Sequence, residues 1–266
     1  MAKVRADILL VEQGLVSSRE KAKRLIMEGK VFTGTQRIDK PGEQLKREVL
    51  LNIKGLENEF VSRGGHKLEK MIKKHSIDLN NNICVDIGAS TGGFTECMLK
   101  YGAKKVYAID VGYNQLDYKL RIDERVISME KTNIRYLDFN LIKEPIDFIS
   151  IDVSFISLEL VLPIAVDLMS EKSSIVALIK PQFEAGKDKV GKGGIIRDRN
   201  VHKEVLDKIY NLSDLLDLNV LDITFSPIKG TNGNIEFLIY LTNYGKTSYE
   251  YNPEQILNYA YEQLNN

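Results

Sequence analysis

From residue 83 onward the chain falls into short, nearly uninterrupted apolar runs at 83–87, 105–109, 146–151 and 173–179, separated by helical-period stretches at 92–101, 158–169 and 200–216. Apolar strands without alternation are what a sheet buried on both faces requires, so the pattern predicts an α/β domain with a parallel sheet and helices on either side. Two further β-rich runs, 220–225 and 235–241, predict a closing hairpin. Just ahead of the first strand, residues 67–75 read as a helix with Leu68, Met71 and Ile72 inward.

The front of the chain has a different rhythm. Residues 5–14 predict a helix with Ile8, Leu9 and Leu15 on a common side, ended by Gly14. A second helix, capped by Ser17 or Ser18 and closed by Gly29, turns Ala22, Leu25 and Ile26 inward and Arg19, Lys23 and Arg24 outward. Short strands follow at 31–33 and 48–53, separated by Gly34 and the Pro41-Gly42 turn signal. This predicts a small α+β domain at 1–56, a linker at 57–63, the α/β domain at 64–246 and a polar, tyrosine-rich tail at 247–266 with no assigned element.

With 43% hydrophobic residues among 266, the chain can fill two cores. No apolar run reaches the roughly 18 residues of a membrane span, and the first residues lack the apolar centre of a secretory signal, so the expectation is a cytoplasmic protein. Cys84 and Cys97 sit in apolar segments and read as small buried hydrophobes; His66, His75 and His202 are scattered, so no metal site is expected. The net charge of zero hides an asymmetry: residues 1–54 hold twelve Lys/Arg against seven Asp/Glu, and residues 55–76 five against three. A basic front and an acidic body suggest that an anionic polymer meets the N-terminal third.

The segment from Asp86 to Phe94 stands where a first strand ends and a helix begins, the ligand crevice of an open sheet. Its glycines, Gly88, Gly92 and Gly93, do not follow the dinucleotide spacing, and no P-loop lysine follows. Asp110 ends the second strand, where an acid can accept the ribose hydroxyls of an adenosine. Without a pyrophosphate signal, S-adenosylmethionine fits best, held by Asp86, Gly88, Ala89, Ser90, Thr91, Gly92, Gly93, Phe94, Asp110 and Asn133.

The first part of the chain resembles the RNA-binding module named after ribosomal protein S-four, through residues 5–10, 18–26, 29–34 and 40–43. The resemblance implies that Arg5, Arg19, Lys23 and Arg24 position RNA by its phosphates, and Arg63 at the domain junction is added to that set. The order Lys67, Asp86-x-Gly, Asp152, Lys180 and Glu236 resembles the FtsJ-type RNA 2′-O-methyltransferases, and together with the front module the chain resembles the TlyA family. Its members are ribosomal RNA 2′-O-methyltransferases that also carry the older label haemolysin A. The resemblance implies a Rossmann-like methyltransferase sheet, ribosomal RNA or ribosomal subunits as partner, and a catalytic tetrad of Lys67, Asp152, Lys180 and Glu236.

A ribose hydroxyl is a poor nucleophile at neutral pH, so such a site must supply deprotonation and in-line placement. Lys180 is assigned as the base, with Lys67 either favouring loss of its proton or steadying the alkoxide; Asp152 and Glu236 would orient the ammonium groups and the ribose. The segment at 152–155 lacks the proline pair of amine methyltransferases, and no cysteine stands near it for carbon methylation. The glycine-rich loop at 183–197 reads as a flap carrying Lys187, Lys189, Lys192 and Arg197 toward phosphates. Two other readings remain open at this point: a membrane-acting cytolysin, and an RNA-binding factor without catalysis.

Overall fold

In a computed structural model, residues 3–13, 15–16, 18–34, 36–47, 49, 51–54, 60–230, 233–246 and 248–264 are described. Several expectations, those on Gly14, Ser17, Glu48, Leu50, Thr247 and the linker residues 57–59, lie outside them. The chain divides into two compact units, Met1–Glu59 and Phe60–Asn266.

The first unit sets Ala6–Glu12 (α1) and Arg19–Met27 (α2) among short strands: Lys3–Arg5 (β1), Val31–Thr33 (β2), Gln36–Arg37 (β3), Gln44–Lys46 (β4) and Asn52–Ile53 (β5). Strand β1 pairs with β4, and β2 lies between β3 and β5. Ser18 caps α2 by accepting from the Lys21 N–H, and Ala22, Leu25 and Ile26 are buried as the spacing predicts. Helix α1 departs from its expected face: Ala6, Leu9 and Leu10 turn inward with Asp7, whereas Ile8 and Leu15 are half-buried. Asp7 tolerates burial because Arg5 and Arg19 both reach its carboxylate, at 3.0 and 3.1 Å.

The second unit is built on a seven-stranded sheet: Ile83–Ile87 (β6), Lys105–Ile109 (β7), Val126–Met129 (β8), Ile146–Ile151 (β9), Met169–Ile179 (β10), Asn219–Phe225 (β11) and Phe237–Thr242 (β12), in the order β11-β12-β10-β9-β6-β7-β8. Strands β8, β7, β6, β9 and β10 run parallel, and β12 enters antiparallel between β10 and β11. The helices are Gly64–His75 (α3), Gly93–Lys100 (α4), Tyr118–Arg121 (α5), Leu162–Leu168 (α6), Pro181–Glu184 (α7), Arg199–Leu215 (α8) and Pro253–Leu264 (α9).

Because successive strand residues face opposite ways, Val85 joins a core closed by α6, α8 and α9, while its neighbour Cys84 joins one closed by α3 and α4. The helix expected at 158–169 is a 3-10 turn at Leu158–Leu160 followed by α6, and β10 begins at Met169. Phe60, placed in the linker by the sequence, is 5% exposed and belongs to the α3–α4 core. The tail also folds: α9 buries Ile256, Leu257 and Ala260.

Strand order reverses between β6 and β9, since β7 and β8 lie on one side of β6 and β9 and β10 on the other. An open sheet leaves a crevice outside the carboxyl ends of strands at such a point.

Candidate active site

The crevice begins where β6 ends. Gly88 takes φ +86°, and a β-carbon there would lie 2.5 Å from the Asp152 carbonyl oxygen, so only glycine lets the turn lie against the chain leaving β9. Asp110 accepts hydrogen bonds from the Ser90 N–H at 2.8 Å and the Gly112 N–H at 2.7 Å, one to each oxygen. Each oxygen keeps a lone pair for a ligand hydroxyl. A cavity of about 730 Å³ opens here, bounded by Gly88, Ser90, Asp110, Gln115, Asn133 and Asp152, with Ile109, Val111 and Ile134 as an apolar wall. A carboxylate for vicinal hydroxyls, two amide side chains and an apolar wall fit an adenosine-bearing cofactor, in a volume ordinary for small-molecule sites.

A second cavity, of about 280 Å³, adjoins the first and shares Gly88, Ser90, Asp152 and Ser154 with it. All four tetrad side chains border it. Lys67 comes from the first turns of α3, and its Nζ donates to Glu236 Oε2 at 2.6 Å. Glu236 precedes β12 and is 2% exposed; its carboxylate fills the space where Gly230 lacks a side chain. Lys180 follows β10, with its Nζ 2.6 Å from Asp152 Oδ1 and donating to Ser154 Oγ at 2.9 Å. The cavity thus brings together two lysine–carboxylate pairs from four separate elements. Ala89, Thr91, Gly93, Phe94 and the exposed Arg63 also border it.

Two residues of the expected cofactor set reach neither cavity. Asp86 is fully buried and accepts the Thr95 and Ser150 hydroxyl hydrogens at 2.6 and 2.9 Å, so it ties β6 to α4 and β9. Burial pushes its carboxyl up to about 6, against the pull of those two hydrogen bonds. Gly92, at φ +94°, serves the turn into α4 and leaves room for Leu120. Both cysteines are buried, which pushes their thiols up and makes them poor nucleophiles. In the first unit Lys23 is exposed, Arg24 lies 3.7 Å from Glu28, and Arg5 and Arg19 share Asp7. In the flap, Lys187, Lys192 and Arg197 are exposed and Lys189 pairs with Glu204.

Several neighbours escaped the sequence. Ser154 borders both cavities and holds Lys180. Asn234, 2% exposed, accepts from the Ile196 N–H and donates to the Gly194 carbonyl, fastening the flap beside Glu236. Phe155 is 91% exposed at φ +63°, with its ring 4.9 Å from that of Phe183. Bulky residues rarely adopt that backbone region, and this feature of Phe155 is invisible without coordinates. Among the described residues no group of three or more His, Cys, Asp or Glu could hold a metal ion, and no helix is long and apolar enough to cross a membrane.

Sheet order, crevice and paired cavities together define a methyltransferase-type α/β unit. The sequence model of the FtsJ-like methyltransferase family matches residues 60–243, and that of the S4 domain matches residues 4–51. The chain belongs to the FtsJ-like methyltransferases, in their TlyA family. A candidate rRNA methyltransferase of Bacillus subtilis, YqxC, is 52% identical over 90% of this chain and 85% of its own. The 16S/23S rRNA (cytidine-2′-O)-methyltransferase TlyA of Mycobacterium tuberculosis is 39% identical over 90% of each. A solved structure of a candidate hemolysin from Streptococcus thermophilus superposes with a TM-score of 0.76 at 43% identity, covering 100% of this chain and 98% of that one.

Proposed function

We propose that this protein methylates a ribose 2′-hydroxyl of ribosomal RNA, and that Lys67, Asp152, Lys180 and Glu236 carry the reaction. The observation that supports it is the meeting of two lysine–carboxylate pairs in one small cavity that opens onto the larger crevice at Gly88, Asp152 and Ser154. When bound, S-adenosylmethionine supplies an electrophilic methyl group. Gly88, Ser90, Asp110, Gln115 and Asn133 would hold it in the larger cavity, and the target ribose would enter the smaller one. Lys180 takes the hydroxyl proton at Nζ, with Asp152 steadying the ammonium that results. Lys67, fixed by Glu236, faces the oxygen as its negative charge grows.

Residues 1–56 serve as the RNA-binding domain. Arg5, Arg19, Lys23 and Arg24 meet phosphates there, and Arg63 does so at the mouth of the cavity. The exposed ring of Phe155, backed by Phe183, offers a face on which a base can stack. The substrate places the reaction in the cytoplasm.

The test is transfer of labelled methyl groups to ribosomal subunits. Lys180→Ala and Asp152→Ala should each lose about 10²- to 10⁴-fold in kcat while keeping RNA affinity. RNA binding without transfer by the unaltered protein would instead make it a non-catalytic factor.

A further inference from the structure

We infer that Ser154 is a positioning residue for Lys180: its hydroxyl sets the direction of the amine, while Asp152 supplies the charge. The inference rests on the reading of Lys180 as the base.

The two contacts of Lys180 differ in kind. Asp152 Oδ1 lies 2.6 Å from Nζ but is buried without an aligned hydrogen bond, so the contact is ionic and weakly directional. Ser154 Oγ, at 2.9 Å, is the aligned acceptor of Nζ among the described residues. An amine nitrogen has three directions besides its carbon, and free rotation about the last C–N bond scatters all three. One aligned acceptor fixes the rotor and confines the lone pair of the neutral amine to the two remaining directions. A hydroxyl does this without adding a charge that would hold the proton on the amine, as a second carboxylate would.

Position favours the same role. Ser154 borders both the cofactor cavity and the tetrad cavity, so an amine directed by it works at their junction. Lys180 is 9% exposed, so its amine is confined, while Ser154 itself is exposed where the two cavities meet. The charged groups that share the cavity with Lys180 are Asp152, Glu236, Lys67 and Arg63. Replacing Ser154 by an uncharged residue alters none of them.

The experiment measures steady-state methyl transfer to ribosomal subunits against pH for wild type, Ser154→Ala, Ser154→Cys, Ser154→Thr and Lys180→Ala. Misdirection of a reacting group by about 1 Å can cost about 100-fold. Ser154→Ala and Ser154→Cys should therefore lose about 10- to 100-fold in kcat, with the KM values for RNA and cofactor and the acidic limb of the pH profile unmoved. Ser154→Thr, which keeps the hydroxyl, should recover most of the rate. Ser154→Ala with an undiminished kcat, or with its loss confined to KM, overturns the inference, as does failure of threonine to rescue where cysteine does as well. An active Lys180→Ala overturns the assignment of the base itself, which separates the two failures.

Discussion

Gly230 stands against the carboxylate of Glu236 so closely that a β-carbon on it would fall 1.9 Å from Oε1. Glu236 is a side-chain end and can swing away, so the fold survives the clash; its hydrogen bond to Lys67 does not. Gly230→Ala is expected to lose about 10²-fold in kcat, the cost of displacing a positioned group by an ångström, with a melting temperature close to wild type. Thermal melts beside methyl-transfer rates check it.

Gly88 gives the opposite balance. Its β-carbon would meet the backbone carbonyl of Asp152, which cannot rotate away, and φ +86° is strained for any other residue. Gly88→Ala should destabilise the protein by about 1–3 kcal/mol and weaken cofactor binding, read by denaturant titration and by calorimetry.

Arg5 and Arg19 spend part of their charge inside the first unit, on Asp7. Burial alone would raise the Asp7 carboxyl, but the hydrogen bonds from the two arginines outweigh it and hold it below the usual carboxylate range. Alanine at either arginine should lower both stability and RNA affinity. Lys23→Ala should lower affinity alone, with the salt slope of binding reduced by about one. Filter binding across salt concentrations, with melts of the same variants, distinguishes them.

Two buried groups oppose each other in acid. Asp86 has its proton retained up to about 6 in the fold against an ordinary 3.8, so its stabilisation is present below the lower value and is lost as pH rises through the higher. Burial lowers His202 from 6.5 to about 4, so its contribution is present above the upper value and is lost as pH falls. Relative to wild type, Asp86→Asn should gain about 2–3 kcal/mol between pH 4 and pH 6, and His202→Gln should change in the reverse sense. Urea unfolding at stepped pH measures both.

The central strands were legible because each is buried on both faces: β6, β7 and β9 begin and end where the apolar runs do. Edge and surface elements were not. Strand β8 has one buried residue in four, and α9 three in twelve, with tyrosines blurring its period. Asp7 broke the pattern of α1 because two arginines make burial of a carboxylate tolerable, which no periodicity records. The tetrad was legible as residue types, three of them beside strands and Lys67 in a helix. Its pairing was not, since whether Lys67 meets Glu236 or another acid depends on where β12 enters the sheet. Ser154 and Gly230 were hidden for a related reason: each matters only through a partner brought to it by the fold.

Lys67 and Glu236 are 169 positions apart, with the whole parallel sheet between them. A growing polypeptide that has emerged past Lys180 already holds the crevice residues, Lys67, Asp152 and Lys180, yet Glu236, the partner of Lys67, is missing until β12 enters between β10 and β11. The partner of Lys67 therefore arrives with the strand that closes the sheet, and a product cut short before Glu236 would lose with it Phe237, Ile239 and Leu241 from the core that the crevice rests on.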